Sequence, residues 1–375
     1  MKFQIETKRL KNALETVNHA TASISTTPIL ENILIKVNFS NIVFTSNNLE
    51  MAIEHIVSED LKIESEGSFC IPSKIFYNYI NLLEDDKVYI ELLIDDSVEI
   101  KTESSKIKIK GNKASDFPLI PTIKEISSLE LNSEILKKAI EKTLFSSAEG
   151  NIRPTLAGVY MNISGNTANF ATTDSFRLSE YSIEIKDNIN TNFSQIIPNK
   201  TCYELKSLLS EKTKVKIVVG ENQILFHFGD TKFYSRLLNG KFPDYNGFFP
   251  TTYNSRSVLN KFDLVSGLKK INLLSKETNY SIKMSFSNEN GILIETSETQ
   301  IGEARVNIVG SLEKEEAIIG LNSEYLLEVL GVIDTTHISI SFESPLSPIL
   351  ITGVSDDEKD VKKESFKHII MPLKI

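Results

Sequence analysis

A unit of domain size is repeated three times along this chain of 375 residues. The clearest markers are Leu10, Leu136 and Leu264, each of which begins a run with apolar residues at helical spacing, and they lie 126 and 128 positions apart. Pro72 and Pro198 each follow a short apolar segment and precede a helical run, again 126 positions apart. This period is far longer than the roughly 20 to 50 residues of a solenoid repeat and matches the size of a domain. The chain is therefore expected to fold as three similar domains in tandem.

The second repeat shows most clearly what each unit contains. Short alternating segments rich in Val, Ile and Phe predict strands, and a longer amphipathic run predicts a helix. This combination predicts an α+β domain, with boundaries at 1–123, 127–251 and 254–375. The predicted elements of the second repeat are strand 195–198, helix 199–210 and strands 214–219, 223–228 and 232–237; the matching helices are 73–83 and 322–332, and a strand at 337–342 follows the latter.

The charge of the chain is unlike that of a simple nucleic-acid binder. Its formal net charge is −9 at pH 7, whereas a basic binding domain carries an excess of lysine and arginine. Lysines are nevertheless frequent in the first helix of each repeat. With Leu136 and Ile140 facing the core, helical geometry points Lys138 to solvent, with Lys137 and Lys142 beside it. If these helices share one surface, that surface is more basic than the rest; the alternative is an ordinary solvated helix face.

The sequence also bears on the compartment of the protein. Cys70 and Cys202 occupy equivalent places in the first two repeats, and both are expected to be reduced thiols in the core. No apolar run approaches the roughly 18 residues of a membrane span, and the first residues lack the apolar segment of a signal peptide. We predict a cytoplasmic protein without membrane contact.

Motifs for catalysis or cofactor binding are absent from the sequence. There is no glycine-rich dinucleotide fingerprint, no G-x-x-x-x-G-K-[ST] and no G-x-S-x-G, and the five histidines lack metal-ligand spacing. Asp174 is the best candidate acid because hydroxyls and an arginine flank it, although turn capping is the favoured role for an Asp in this setting. We predict no catalytic residue, no metal and no cofactor.

Seven segments, taken in order with the triplication, resemble the bacterial DNA polymerase III beta subunit, the sliding-clamp family, over the full length of the chain. They are residues 1–3, 28–32, 48–51, 116–118, 171–178, 240–245 and 371–375. The resemblance implies three clamp domains per chain, each with two helices packed on an antiparallel sheet, in a half-ring that dimerises into a closed ring. Helices would line the hole and sheets the outer wall. Loose, salt-screened lysine contacts permit such a ring to slide on DNA.

Three sets of site residues are predicted. The resemblance implies them position by position, except that Lys138 and Lys142 come from the helical-spacing argument above. The first is a hydrophobic cleft for short peptides, in which a flexible methionine and a rim of arginine accept many apolar anchors. The second set contacts DNA. The third closes the ring with an apolar pair, for which ordinary helix core is the alternative. The cleft residues are Arg153, Leu156, Thr173, Ser175, Phe176, Arg177, Leu178, Pro243, Phe248, Ile369, Ile370, Met371, Pro372, Leu373, Lys374 and Ile375; the DNA contacts are Lys74, Lys138, Lys142 and Lys200; the interface residues are Ile107, Leu273 and Leu274.

Several positions depart from the family pattern. Ser175 and Phe176 stand where the family usually has Gly-His, and Lys374 replaces the penultimate arginine. Ile24 replaces a family arginine and Gly150 a family glutamine. These departures indicate a peptide preference and a distribution of DNA contacts particular to this chain.

The resemblance implies a homodimeric processivity clamp that performs no chemistry. Its partners would be duplex DNA without sequence preference, the replicative polymerase catalytic subunit, the clamp loader and repair proteins that carry clamp-binding motifs. Two alternatives from other classes stay open at this point. One is a peptide-binding scaffold that never encircles DNA, and the other is a metal-dependent nucleic-acid hydrolase centred on Asp174.

Overall fold

The computed structural model of the chain describes residues 1–22, 24–150, 153–185, 192–209, 212–289, 291–354 and 366–374. Within these residues the elements follow one another in three similar series. The first series is β1 (Lys2–Glu6), α1 (Thr7–Asn18), β2 (Asn32–Asn38), β3 (Asn41–Asn47), β4 (Met51–Val57), β5 (Leu61–Ser65), β6 (Gly67–Pro72), α2 (Ser73–Asn81), β7 (Lys87–Leu92), β8 (Ser97–Lys101), β9 (Lys106–Lys110) and β10 (Asn112–Lys113). The second series is β11 (Ser127–Asn132), α3 (Ser133–Thr143), β12 (Gly158–Ser164), β13 (Thr167–Thr173), β14 (Arg177–Glu184), β15 (Phe193–Pro198), α4 (Asn199–Leu208), β16 (Lys214–Val219), β17 (Gln223–Phe228) and β18 (Thr231–Arg236). The third series is β19 (Ser255–Asn260), α5 (Lys261–Ser275), β20 (Ser281–Ser287), β21 (Gly291–Thr296), β22 (Arg305–Ile308), β23 (Gly310–Lys314), β24 (Ala317–Asn322), α6 (Ser323–Val332), β25 (His337–Phe342), β26 (Ile349–Val354) and β27 (Phe366–Ile370).

Each series contains two helices, and their positions follow from local sequence. In α1 the apolar residues Leu10, Leu14 and Val17 recur at helical spacing and are all buried. In the third series, asparagine side chains begin both helices: Asn260 caps α5 and Asn322 caps α6 by accepting backbone N–H groups of the first turn. A cap of this kind satisfies donors that have no partner inside the helix.

Antiparallel strands form four sheets in the described part of the chain. Two of them stay within one series, in the orders β5-β1-β7-β8-β9 and β22-β21-β20-β24. The other two have nine strands each and join successive series, in the orders β10-β6-β2-β3-β4-β18-β17-β16-β11 and β15-β12-β13-β14-β27-β26-β25-β19-β23. Continuous backbone pairing therefore links neighbouring repeats.

Two strand pairs make these links, and we call them junction one (β4 with β18) and junction two (β14 with β27). In junction one Ile53 lies opposite Phe233, and in junction two Ser179 lies opposite His368. The same strands of the repeat are used each time: β4 and β14 end one three-stranded meander, and β18 and β27 end the other. Two further meanders end in the corresponding strands, β22 and β9. Both are edge strands among the described sheets.

The chain divides into two compact units, residues 1–136 with 204–237 and residues 137–203 with 238–375. Junction one lies inside the first unit and junction two inside the second. In the second unit, α5 and α6 pack on strands through fully buried side chains such as Leu268, Leu326 and Met284. Burying one such side chain stabilises a fold by about 1.5 to 3 kcal/mol. The domain boundaries given above stay a prediction, because this division follows the shared sheets rather than the repeats.

The element predictions are confirmed to within a few residues. β16, β17 and β25 have the predicted bounds, α4 begins as predicted and ends at Leu208, and α2 ends at Asn81. α2 stops early because Leu82 and Leu83 close it with turn hydrogen bonds to Tyr79 and Ile80. No helix in the described ranges is long and apolar enough to cross a membrane.

Both cysteines are free and buried, as predicted. Burial raises the pKa of the Cys70 thiol to about 12 and raises the pKa of Cys202 as well. Both side chains therefore stay protonated near neutral pH, which makes them inert as nucleophiles.

Candidate protein-binding cleft and contact residues

A cleft of about 580 Å³ in the second unit brings together most of the predicted cleft residues. Its walls come from the 3-10 turn Pro154–Leu156, the loop between β13 and β14, the segment 243–248, and β27 with the residue that follows it. The lining is mainly apolar and contains two arginines but no carboxylate, which suits an apolar ligand of neutral or negative charge. The lining residues are Arg153, Thr155, Leu156, Thr173, Ser175, Arg177, Leu178, Pro243, Phe248, Pro348, Ile369 and Met371.

Side-chain hydrogen bonds fix the loop between β13 and β14. The Asp174 carboxylate accepts the N–H of Phe176 at 2.9 Å and that of Arg177 at 3.0 Å. The Thr173 hydroxyl accepts the N–H of Ser175 at 3.1 Å. These bonds hold Ser175 at a φ of +84°, a region that residues with a side chain seldom adopt. The turn-capping role predicted for Asp174 is confirmed.

Arg177 is 8% exposed, and its guanidinium is fully engaged. Its Nε donates to Asp174 at 2.9 Å, one terminal nitrogen donates to the carbonyl of Phe145 at 2.8 Å, and the other contacts the carboxylate of Glu328 on α6. The guanidinium carbon also lies 4.2 Å from the ring centre of Tyr325. Because its charge is already paired, Arg177 shapes the cleft rather than offering a free cation to a ligand.

A chain of buried hydroxyls runs from the end of α3 to β27. Thr172 donates to the carbonyl of Thr143 at 2.5 Å, and Ser146 Oγ lies 2.7 Å from the hydroxyls of both Thr172 and Ser179. Ser179 in turn lies 2.8 Å from Nδ1 of His368. This network ties the strand that carries part of the cleft wall to the helix behind it.

His368 is the least expected member of that network. Its ring is fully buried, and burial together with the positive charge of Arg177 lowers the pKa of the imidazole to about 3. The ring is therefore neutral at physiological pH, and its Nε2 has no hydrogen-bond partner in the described part of the chain. Because side chains alternate along a strand, His368 faces away from the cleft wall formed by Ile369.

The C-terminal tail leaves the cleft after Met371. The backbone N–H of Met371 donates to the carbonyl of Phe176 at 2.8 Å, and that of Leu373 donates to Gly320 of β24, also at 2.8 Å. This second bond directs the tail onto the neighbouring sheet. Several predicted cleft residues lie outside the lining: Ile370 is buried in the core, Phe176 is 60% exposed, Pro372 and Leu373 are half-buried, and Lys374 is exposed. Ile375 lies outside the described residues.

The predicted DNA-contact lysines differ in exposure. Lys74 and Lys200 are exposed, and each is the second residue of its helix, α2 or α4. Lys138 is exposed on α3, as its helical position predicts, and its ammonium lies 2.7 Å from the carboxylate of Asp334.

Lys142 corrects one prediction, because the structure buries it. Its side chain is 5% exposed and lies 3.1 Å from Asp334, and its ammonium also donates to the carbonyl of Val332 and sits over the ring of Phe366. Although partial burial opposes it, hydrogen bonds from Lys138 and Lys142 keep the pKa of Asp334 below its usual value. Helical spacing placed Lys142 at the flank of the core, and the segment after α6 covers that flank.

The three predicted interface residues are all at least partly exposed. Ile107 is half-buried on the edge strand β9. On α5, Leu273 is 81% exposed and Leu274 is half-buried. Leu273 is therefore not part of the helix core, which was the alternative for this pair.

Metal-dependent chemistry finds no support in the side-chain arrangement. Across the described residues, no group of three or more His, Cys, Asp or Glu side chains is placed to hold a metal ion. Asp174, the candidate acid, is committed to the backbone of its own loop and to Arg177.

Family models of the DNA polymerase III beta subunit match this chain in three consecutive segments. The N-terminal domain model matches residues 1–121, the central domain model residues 130–244, and the C-terminal domain model residues 247–374. The chain belongs to this family. The three matches confirm the resemblance read from the sequence and the three clamp domains of the beta subunit.

Relatives and solved structures of beta subunits agree over the whole chain. The beta sliding clamp of Bacillus subtilis (strain 168) is 27% identical over 383 residues, which cover 100% of both chains. The crystal structure of the beta subunit from Streptococcus pyogenes superposes with a TM-score of 0.94 at 26% identity and covers 100% of both chains. The sliding clamp from Bacillus subtilis gives 0.93 at 27% identity, with 100% of this chain and 99% of that one covered.

Sequence reasoning missed two residues of the beta-subunit cleft and the buried contacts of Glu328 and His368 that support it. Thr155 lies between two predicted cleft residues, so its position in the turn Pro154–Leu156 was a usable signal. Pro348 belongs to the loop before β26, and nothing local in the sequence marks it. Glu328 and His368 act through Arg177 and Ser179, which are distant in sequence.

Proposed function

We propose that this beta subunit is the sliding clamp of a bacterial DNA polymerase III, a ring of two chains that encircles duplex DNA and tethers the replicative polymerase. The observation that supports this most is the match of all three family models in order, together with full-length similarity to solved clamps. The clamp performs no reaction itself and works through contacts alone. Its cytoplasmic location, its clamp loader and its repair partners are parts of this proposal.

Encirclement is tested by topology. The protein, loaded by a clamp loader onto nicked circular plasmid, should stay bound during gel filtration and should be lost when the plasmid is linearised. Exposed lysines such as Lys74 and Lys200 provide only screened, sequence-independent attraction, so a linear end releases the ring. Equal retention on circular and linear DNA would favour the alternative of a peptide-binding scaffold that does not encircle DNA.

The internal junctions support ring closure by a second copy of the chain. Junctions one and two pair the last strand of one meander with the last strand of another. β22 and β9 are the remaining strands of these two kinds, and both are edges in the described sheets. Pairing β22 of one chain with β9 of the other would satisfy both edges, and it would occur twice in a two-fold dimer.

The register of the two junctions extends to this third strand pair. Ile107 of β9 corresponds to the junction residues Phe233 and His368, and Ala304, whose carbonyl accepts the N–H of Thr296 at 3.0 Å, corresponds to Ile53 and Ser179. A chain with Ile107→Cys and Ala304→Cys should therefore form a covalent dimer under oxidising conditions. A chain with Lys110→Cys and Ala304→Cys is the matched control and should stay uncrosslinked. Crosslinking of the control pair alone would contradict this register.

The apolar part of the interface can be tested by substitution. Replacing Leu273 by Ala and Leu274 by Asp should give folded monomers, because an apolar contact is lost and a charge would be buried without a partner. Leu346→Ala, at an exposed leucine on a loop, is the control and should leave the dimer intact. Sedimentation that shows an unchanged dimer for the double variant would show that the interface lies elsewhere.

The cleft is proposed to take short linear peptides of the polymerase, the clamp loader and repair proteins. Deleting residues 371–375 removes Met371 from the cleft wall and the tail contact with β24. We expect this deletion to abolish binding of clamp-motif peptides while leaving the dimer intact. Lys374→Ala, outside the lining, is the control. A deleted protein that still binds the peptides would refute the assigned cleft.

A further inference from the structure

Two walls of the cleft are joined by a hydrogen bond between Arg153 and Ser175, which we call the bar. We propose that a peptide must break this bond to bind, and that a carboxylate on the peptide then pairs with Arg153. Arg153 precedes the turn Pro154–Leu156, and Ser175 belongs to the loop between β13 and β14. Both line the cleft, and Nη1 of Arg153 donates to Oγ of Ser175 at 2.5 Å. The proposal rests on the peptide-binding function of the cleft and adds to it a determinant of which peptides bind.

Arg153 is the lining charge that a ligand can reach. Arg177, the other lining arginine, is buried and paired with Asp174 and Glu328. Arg153 is exposed, and in the described part of the chain its guanidinium bonds to a neutral hydroxyl rather than to an acid. Since no carboxylate lines the cleft, a ligand carboxylate would be the strongest available partner for Arg153.

The other end of the bar is held rigidly. Ser175 has a φ of +84°, its N–H donates to Thr173 at 3.1 Å, and the next backbone N–H groups are capped by Asp174. The backbone of Ser175 is therefore fixed by its loop, and its hydroxyl stays within reach of Arg153. Breaking the bond therefore requires movement of the Arg153 side chain rather than of the loop that carries Ser175.

The first unit shows that the repeat does not require such a bar. The residue equivalent to Ser175 is Leu49, which has the same left-handed backbone at a φ of +71° but no hydroxyl. The residue equivalent to Arg153 is Thr27, which precedes the corresponding turn Pro28–Glu31. The left-handed loop residue belongs to the repeat, whereas the arginine–serine bond is found at the larger of the two grooves.

Opening the bar has different consequences for different peptides. Any peptide that enters this end of the cleft breaks the bond between Arg153 and Ser175. A neutral peptide leaves the guanidinium to solvent. A peptide with a suitably placed carboxylate gives it a charge-assisted and geometrically matched partner. The cleft should therefore select acidic peptides over their amide counterparts, and the bar should lower the affinity of both kinds equally.

The test uses two matched panels of acetylated, amidated hexapeptides that contain leucine and phenylalanine anchors. One panel carries aspartate at each remaining position in turn, and the other carries asparagine there. Binding to the full-length protein is measured by fluorescence anisotropy at constant ionic strength. For at least one position, aspartate should bind more tightly than asparagine by about two- to fivefold, the range of an ion pair at a solvent-exposed arginine.

Two substitutions separate the bar from the charge. Ser175→Ala should raise the affinity of both peptides of the best pair by the same factor, about two- to tenfold, and leave their ratio unchanged. Arg153→Ala should raise the affinity of the asparagine peptide similarly and bring the ratio to about one, since the partner of the carboxylate is gone. Ser175→Gly also removes the hydroxyl, and glycine adopts a positive φ without strain, so this variant should give the same result as Ser175→Ala.

Each failure has a distinct meaning. Unchanged affinity of the asparagine peptide in both Ser175 variants would show that the bond between Arg153 and Ser175 does not lower peptide affinity. An aspartate preference that survives Arg153→Ala would show that Arg153 does not recognise the carboxylate. In those cases the peptides still bind the wild type and lose binding when residues 371–375 are deleted, so the cleft itself stands. If no peptide of either panel binds the wild-type protein, the peptide-binding function of the cleft fails and this inference fails with it.

Discussion

Junction one and junction two use the same strands of the repeat but differ in chemistry at one buried strand pair. At one equivalent position junction one places Ile53 opposite Phe233, both fully buried, whereas junction two places Ser179 opposite His368, also buried but polar. The backbone ladder is the same in both. An apolar pair tolerates small shifts, but a buried polar pair is satisfied only in one geometry. Junction two therefore specifies the position of β27, and with it the cleft wall, more narrowly than junction one specifies β18.

The grooves beside the two junctions differ in the same direction. The groove at junction one has a volume of about 100 Å³, against about 580 Å³ for the cleft at junction two. Its lining includes the equivalents of cleft residues: Ala52 for Leu178, Tyr234 for Ile369 and Arg236 for Met371, with residues 119–121 beside them. Repetition of the domain made the groove twice, and only the second copy is large enough for a peptide anchor.

The largest expected effect concerns the charge at the centre of junction two. Arg177 corresponds to Met51 of junction one, which is buried and apolar. Arg177→Met would leave Asp174 and Glu328 without their cation. Because Glu328 is 40% exposed and so partly screened, we expect the lower end of the usual range for breaking a buried ion pair, about 3 kcal/mol of unfolding free energy.

The matched control for this change is Met51→Leu in junction one, which conserves volume and should cost less than about 1.5 kcal/mol. Urea unfolding gives the total loss. Hydrogen exchange of β14 and β27, compared with β4 and β18 in the same molecule, should show that the loss is confined to junction two. Equal effects of the two substitutions would remove the claimed difference between the junctions.

The next effect is the pH dependence that the buried imidazole of His368 gives to junction two. His368 has a folded pKa of about 3, below the roughly 6.5 of an unfolded histidine, so the folded chain binds fewer protons between these values. Its contribution to stability is complete above about pH 6.5 and is lost as the pH falls toward 3. From pH 7 to pH 5 this amounts to about 2 kcal/mol of unfolding free energy.

His368→Phe is the variant that checks this, because Phe233 fills the equivalent place in junction one. Urea unfolding at pH 7 and at pH 5 gives the unfolding free energy lost between these two pH values. This loss should be about 2 kcal/mol smaller for the variant than for the wild type. The same difference in both proteins would assign the pH dependence to other groups and would make the polar pair irrelevant to it.

Sequence patterns predicted the secondary structure and the repeat but not the tertiary contacts between elements. Spacing such as Leu10, Leu14 and Val17 is local, so it located helices and strands and exposed the repeat. Lys142 shows the limit. Helical periodicity identifies the face toward the core but not what covers the flank, and the contact with Val332 lies 190 positions away in sequence. The wrong prediction for Lys142 follows from that missing tertiary information.

The cleft shows the same limit in another form. The cleft residues within 171–178 could be carried over from a family motif because that segment is contiguous and recognisable. The residues that support them could not be predicted in this way. Glu328 and His368 contact Arg177 and Ser179 from elements that meet only after folding. The tail is intermediate: Met371 was placed correctly, but the bond from Leu373 to Gly320 that turns the following residues away depends on the neighbouring sheet.

A smaller effect is expected for one of the side-chain hydrogen bonds that junction one makes across its strands. Tyr234 donates to the carboxylate of Glu54 at 2.9 Å, and burial with the negative charge of Glu54 raises the pKa of the phenol. Tyr234→Phe should cost about 1 kcal/mol of unfolding free energy, because the phenyl packing is kept and one partly solvated hydrogen bond is lost. Faster exchange of β18 amides, with β27 unchanged, is the expected readout. A loss as large as that of Arg177→Met would show that junction one also depends on a polar contact.

The smallest effect is expected at the helices of junction one, where His19 lies 2.5 Å from Glu204 of α4. Both side chains are partly exposed, so His19→Gln should cost less than about 1 kcal/mol, and high salt should reduce that cost further. The comparison is Lys142→Gln on α3, a helix of junction two, where the ammonium is buried against Val332 and Asp334 and salt should have little influence. Urea unfolding of both variants at low and high salt decides the matter. If the two substitutions cost the same and respond alike to salt, the difference between the junctions resides in their strand pairs alone, and the helix contacts contribute equally to both.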